Sequence, residues 1–304
     1  MTVSLKILWG VVALYVAMTV INALRPNTIP VAVLVLFLFA FVLLHGALRY
    51  RLSGILIFIV IALVVSNILE NTSILTGFPF GHYHYTDALG PKLFLVPVLI
   101  GLAYIGTGYL AWVIATVLVG DLRHESSAFT TFAVPLIASF VMVVWDLCFD
   151  PSLSTIAQNW IWEQGGGFFG VPLTNYLGWF LTVYLFYQLF ALYIRFRPSG
   201  RVASPAMPRS FYFQAVALYA VMGLSFVLRY LRLSGSTTPV TDASGAVWQT
   251  GDILETAAIV SIYTMIFIAV MTTVKLIQQS AVAPERLVDR RLVGSREGGS
   301  EHAS

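Results

Sequence analysis

Long apolar runs alternate with short polar breaks along this chain. A membrane-spanning helix needs roughly 20 mostly apolar residues. Eight stretches come near that length: 5–24, 30–48, 53–70, 93–119, 129–147, 176–196, 211–231 and 253–277. The third is short and ends on polar residues, and the fourth is long enough to tilt. The breaks hold glycine, proline and charge, as in "RPNTIP", "GFPFGHYHYTDALGP" and "RFRPSGRVASPAMPRS", residues that end helices and make turns. The first run follows Lys6, has spanning length and lacks a small-residue cleavage site after it, so it reads as a retained helix. The pattern predicts an all-α fold, a polytopic transmembrane helical bundle of about eight spans over residues 1–279. Residues 280–304 are polar, charged and Gly/Ser-rich and are expected to form a disordered cytoplasmic tail.

Composition narrows the class. Of 304 residues, 58% are hydrophobic and 10% charged, against about 25% charged in a soluble domain. Little room remains for a soluble domain. The net charge of +3 comes mostly from arginines in short loops, which argues for orientation in a bilayer and against nucleic acid as a partner. The single cysteine, Cys148, excludes an intrachain disulfide and reads as an apolar filler.

Charge then orients the bundle. With eight spans and an inner N-terminus, one side receives Lys6, Arg49, Arg51, Arg123, Arg195, Arg197, Arg201, Arg209, Lys275, Arg286, Arg290, Arg291 and Arg296, which is 13 of the 17 cations. Both termini are therefore expected in the cytoplasm, as in a multi-pass protein of the cell membrane. Glu70, Asp87, Asp146, Asp150, Glu163, Asp242, Asp252 and Glu255 all fall on the other side, with His82 and His84. The polar chemistry gathers at one membrane face.

Three stretches carry it. In "SNILENTSILTGFPFGHYHYTD", Asn67, Glu70 and Asn71 have helical spacing and share a face. An acid with two amides at a helix end can satisfy backbone and meet headgroups, with Tyr83 and Tyr85 as interfacial anchors; inside a membrane helix such groups are costly and usually functional. The second stretch, "WDLCFDPSLSTIAQNWIWEQGGGFFGVPLTNYLGW", holds three acids, four tryptophans and no lysine or arginine. Asp146 ends an apolar run beside Trp145, while Pro151 biases Asp150 toward the first loop position. Apolar surroundings favour the neutral form of a carboxyl group, the form that general acid catalysis uses. Glycines let a backbone approach a ligand, and aromatic faces suit a polyene or a cation. The third stretch, "SGAVWQTGDILETA", opens the last helix with Asp252, suited to its N-terminal dipole, and Glu255, one turn further in.

Asp146, Asp150, Glu70, His82 and His84 together also suggest an oxygen-rich metal site, and D-x-x-x-D with magnesium would suit a diphosphate. Such a substrate calls for several Lys or Arg, and this face has few. HExxH, CxxC, GxSxG and Walker patterns are lacking. Neither a metal nor a cofactor is expected.

At these residues the chain resembles the integral-membrane carotenoid biosynthesis proteins, a family that includes the carotenoid 1,2-hydratases acting on γ-carotene and bisanhydrobacterioruberin. The resemblance rests on "NILENTSILTGFPFGHYHYTDALGPKLFLVPV" and the tryptophan-rich stretch above, roughly the third to sixth helices. It implies an enzyme that adds water to the terminal C=C of an acyclic carotenoid. It points to Asp146, Glu70 and Asp150 as catalytic acids and to Asn71, Tyr83, Tyr85, Trp160, Trp162, Asn175, Tyr176 and Trp179 around the substrate, with Gly81, Gly166, Gly170 and Pro172 shaping the loops. Partners implied are the carotenoid, the bilayer and other enzymes of the same pathway. Hydration of a trisubstituted alkene needs a proton donor, a shelter for a tertiary carbocation and a group that orients water. Uncompensated acids at the rim of a hydrocarbon groove meet each need. Two rivals stand beside this reading: a prenyltransferase or cyclase using other carbocation chemistry, and a non-catalytic carotenoid or lipid carrier or transporter.

Overall fold

The computed structural model describes residues 3–197 and 207–279. The expected tail over 280–304, with its arginines, and Arg201 lie outside the described residues. Within them, seven helices are long and apolar enough to cross a membrane. They are α1 (Val3–Leu24), α2 (Val31–Thr76), α3 (Val98–Val119), α4 (Ala128–Pro151), α5 (Leu173–Phe196), α6 (Arg209–Leu233) and α7 (Thr250–Ser261), the last running on to Gln279.

Seven helices replace the eight apolar runs because the second and third runs join in α2. At about 1.5 Å per residue its 46 residues would reach roughly twice the hydrocarbon thickness of about 30 Å. The helix does not run straight. Arg51, with φ 58° and ψ 167°, is non-helical, and a β-carbon added to Gly46 would lie 2.5 Å from Ile55 Cδ1. Residues nine apart on a straight helix are about 13 Å apart, so the chain reverses at Arg51. Its arms, 31–50 and 52–76, lie antiparallel and give eight crossings.

Polar groups separate to the two ends. At one end buried Arg49 donates to Asp121 Oδ1 at 2.6 Å, Tyr212 donates to the same carboxylate, and His124 bonds the Arg195 carbonyl. At the other end are the loops carrying the sequence-predicted acids. Three two-stranded antiparallel ribbons stiffen these loops: β1 (Tyr83–Tyr85) with β4 (Trp160–Trp162), β2 (Lys92–Leu93) with β3 (Val96–Pro97), and β5 (Pro239–Thr241) with β6 (Val247–Gln249). If the cation-rich end faces the cytoplasm, as its charge predicts, reporter fusions after Glu125 and after Gly165 will report opposite sides. A shared side would overturn the orientation.

The core is aromatic and dense. Trp112, Tyr109, Phe58, Phe186, Tyr187 and Phe190 are fully buried between α2, α3 and α5. Their few polar atoms are paired, as an apolar interior requires: Trp112 donates to Tyr50 at 2.9 Å and Tyr187 to the Gly108 carbonyl at 2.8 Å.

Candidate active site

Two loops close over the helix ends by strand alternation. Successive side chains of a strand point to opposite faces. In β1 this turns Tyr83 and Tyr85 inward and His84 outward, and in β4 it turns Trp160 and Trp162 inward. The register sets Tyr83 opposite Trp162 and Tyr85 opposite Trp160. Ser73 anchors the first loop to α2: its hydroxyl donates to the Gly81 carbonyl at 2.9 Å and accepts from Phe80 N at 3.0 Å. In the second loop Gly166 has no alternative, since a β-carbon there would sit 2.1 Å from the Val171 carbonyl carbon.

Under this lid lies a cavity of about 50 Å³. Val31, Val35, Leu99, Ile100 and Ala103 give it a hydrocarbon wall. The opposite wall carries Glu70, Asp146 and Asp150, each no more than 2% exposed. Glu70 accepts hydrogen bonds from three phenols: Tyr83, Tyr85 at 3.0 Å and Tyr104 at 2.8 Å. Burial first, and the adjacent Glu70 charge second, hold the Tyr83 and Tyr85 hydroxyls well above the ordinary phenol range, so both remain O–H donors. Asp150 accepts from Asn175 Nδ2 at 2.5 Å and Trp160 Nε1 at 2.9 Å, with Trp162 Nε1 at 3.5 Å. Asp146 accepts from the same Asn175 amide at 3.1 Å through Oδ2, and no described residue donates to its Oδ1. Among the described residues, no lysine or arginine pairs with any of the three acids.

Trp160 and Trp162 form a partition. On their other side is a polar pocket of about 260 Å³, lined by Ser154, Thr155, Gln158, Thr241 and Asp242. Slight burial pushes the Asp242 carboxyl up, but hydrogen bonds from Ser244, Trp248 and Ala246 outweigh it and leave the group below the usual carboxylate range. The two tryptophans thus line both the acid cavity and this second pocket.

The structure gathers Glu70, Asp146, Asp150, Tyr83, Tyr85, Trp160, Trp162, Asn175 and Trp179 around one cavity. It does not bring in the others. Asn71 bonds Asn67 and accepts from Leu95 N at 3.0 Å, so it holds the β2–β3 loop. Tyr176 does not line the cavity but is buried against Phe168 beside Asp150 and Asp146, its hydroxyl unpartnered among the described residues. Glu255 is exposed, and Glu163 is exposed and pairs with His84 at 3.3 Å. His82 and His84 are exposed, unlike the buried Glu70, Asp146 and Asp150. Asp150 is not a loop residue: α4 continues through Pro151 and a π-helical turn, Ser152–Ile156, which keeps Asp150 inside.

Tyr104 escaped the sequence reading. It sits mid-run in an apolar helix, and only its bond to Glu70 and its stacking on Trp179, with centroids 4.2 Å apart, reveal a role. Trp145 and Phe149, stacked at 4.4 Å, also line the cavity.

Fold and site together define a polytopic membrane bundle with a buried, cation-free acid cavity closed by aromatic loops. Over residues 30–235 the chain matches the carotenoid biosynthesis protein family, and it belongs to that family. Bisanhydrobacterioruberin hydratase of Haloarcula japonica is 33% identical over 115 residues, covering 38% of this chain and 37% of the relative. The chain therefore spans little more than a third of that relative's length. No solved structure matches. The protein's role lies in carotenoid biosynthesis.

Proposed function

We propose that this protein adds water to the terminal C=C of an acyclic carotenoid. The observation that carries the reading is the set of three buried acids without a cation, facing a hydrocarbon wall on one side and a polar pocket behind Trp160 and Trp162 on the other. The hydratase relative supports the same chemistry.

The end group enters against Val31, Val35 and Leu99, and the cavity of about 50 Å³ must widen to admit it, since a cavity that takes benzene is about 150 Å³. Asp146, in its acid form, gives its proton to the less substituted alkene carbon, and the neighbouring carbon becomes a tertiary cation. The rings of Trp145 and Trp179, which line the cavity, shelter that cation by their quadrupoles. Water held at Asp150 adds its oxygen to the cation, and the proton it sheds returns to the Asp146–Asp150 pair. Asn175, bonded to both carboxyl groups, fixes their spacing. Glu70 and its three phenols hold the cavity wall.

The test is expression in cells that make lycopene or a related acyclic carotenoid, followed by pigment analysis by mass. A gain of one water per reacted end is expected; an unchanged profile across several acyclic substrates would overturn the reading. Activity in detergent is also expected to survive exhaustive metal chelation, because no lysine or arginine joins these acids to receive a diphosphate. Loss of turnover with a chelator and recovery with magnesium would transfer the carboxylates to prenyl-transfer chemistry.

A further inference from the structure

A second and larger cavity, of about 440 Å³, adjoins the acid cavity. Val35, Ala103, Trp145, Phe149 and Leu153 line both. Its apolar part is formed by Leu34, Leu38 and Met222; its polar part by Asn22, Asn27, Asn159, Ser225 and Arg229. No carboxylate lines it. Arg229 Nε is buried with no hydrogen-bond partner among the described residues.

A guanidinium carries five N–H donors and no acceptor. Leaving such donors buried and unpaired is costly, and native structures satisfy them with protein, water or ligand. Here one of the five donors, the Nε–H of the partly buried Arg229, is unpaired, and no carboxylate lines the cavity to meet it. Arg229 stands one turn before the end of α6 (Arg209–Leu233), at the acid-bearing end of the bundle, where bilayer headgroups lie. The planar fork of arginine matches phosphate oxygens, and the apolar part of the cavity calls for a chain attached to them. We propose that this cavity binds a lipid-soluble molecule carrying a phosphate group, with its oxygens on Arg229 and its chain against Leu34, Leu38 and Met222. Two sources share that chemistry: a bilayer phospholipid and the diphosphate ester of an isoprenoid alcohol. The proposal concerns binding and uses none of the three acids, but Val31, Val35 and Trp145 line both cavities, so a phosphate-bearing chain and the carotenoid end group would share that wall.

The experiment is native mass spectrometry of the delipidated full-length protein titrated with phosphatidylglycerol, with farnesyl diphosphate and, as a phosphate-free control, with diacylglycerol. At least one phosphate-bearing probe is expected to bind more tightly than diacylglycerol. Its affinity should fall by about 10-fold or more in Arg229→Gln, the scale of a lost charge-assisted hydrogen bond, and recover in part in Arg229→Lys. Preference for phosphatidylglycerol assigns the site to a bilayer lipid, and preference for farnesyl diphosphate to an isoprenoid ester. A second variant, Ser225→Phe, keeps the arginine and fills the cavity, so it should displace the same probe even if Arg229→Gln fails to fold. Equal binding of all three probes, or unchanged phosphate-probe binding in Arg229→Gln and Ser225→Phe, would overturn the proposal.

Discussion

Asp146→Asn is expected to keep its fold and its bound carotenoid while losing turnover by at least about 100-fold, the lower end of general-acid contributions. The distribution of hydrogen bonds selects this acid. Glu70 receives three phenolic donors, and Asp150 receives an amide and indole N–H groups. Asp146 receives the Asn175 amide alone, on Oδ2. A proton on Oδ1 is therefore free to meet an alkene in the cavity. An asparagine in its place keeps size and packing but has no acidic proton. Turnover is measured beside expression level and bound pigment. Near-normal turnover in Asp146→Asn with an inactive but folded Glu70→Gln would move the donor to Glu70. Activity in Asp146→Asn, Glu70→Gln and Asp150→Asn alike would leave hydration without a proton source here.

Glu70→Gln should act differently, on the fold as well as on turnover. Two carboxylate oxygens accept from Tyr83, Tyr85 and Tyr104, all buried. Glutamine keeps one acceptor oxygen and puts an NH₂ group in place of the other, so at least one phenol must turn from donating to accepting. At about 1.5–3 kcal/mol for each hydrogen bond to a charged group, the variant loses about 3 kcal/mol or more. Tyr104→Phe removes one bond only and costs about 1.5 kcal/mol or more. Thermal midpoints in detergent should therefore fall in the order wild type, Tyr104→Phe, Glu70→Gln, while Asp146→Asn stays near wild type. A Glu70→Gln midpoint equal to wild type would show that the phenols do not depend on the carboxylate.

Much of this architecture was legible in the apolar runs, because each helix must be long enough to cross the hydrocarbon and each break must carry turn residues. The acids were legible for a related reason: Glu70, Asp146 and Asp150 stand out where every charge is expensive. What escaped was contact between elements distant in sequence. Asn71 shares a helical spacing with Glu70, yet it turns to Asn67 and Leu95 N. Tyr104 contributes as much to the Glu70 cluster as Tyr85 does, but one tyrosine in an apolar helix gives no local signal. The lid strands also escaped: each is three residues long, and "WIW" has no polar position to show which rings turn inward. Asp150 was misplaced because Pro151 was weighed as a helix stop, whereas a wider π-helical turn carries the backbone past it.

The reversal at Arg51 bears on how the chain enters a bilayer. One residue joins the two arms of α2, so no loop separates two insertion events, and the arms must enter together as a hairpin with Arg49 and Arg51 at its tip. Arg51 holds a backbone conformation that is almost reserved for glycine and that costs of order 1–3 kcal/mol. Arg51→Gly should accordingly raise the thermal midpoint of the folded protein, yet, if the cation-rich end faces the cytoplasm, it removes one of two tip charges that hold the hairpin's closed end there. Stability after folding and fidelity of insertion thus make opposite demands on this one position.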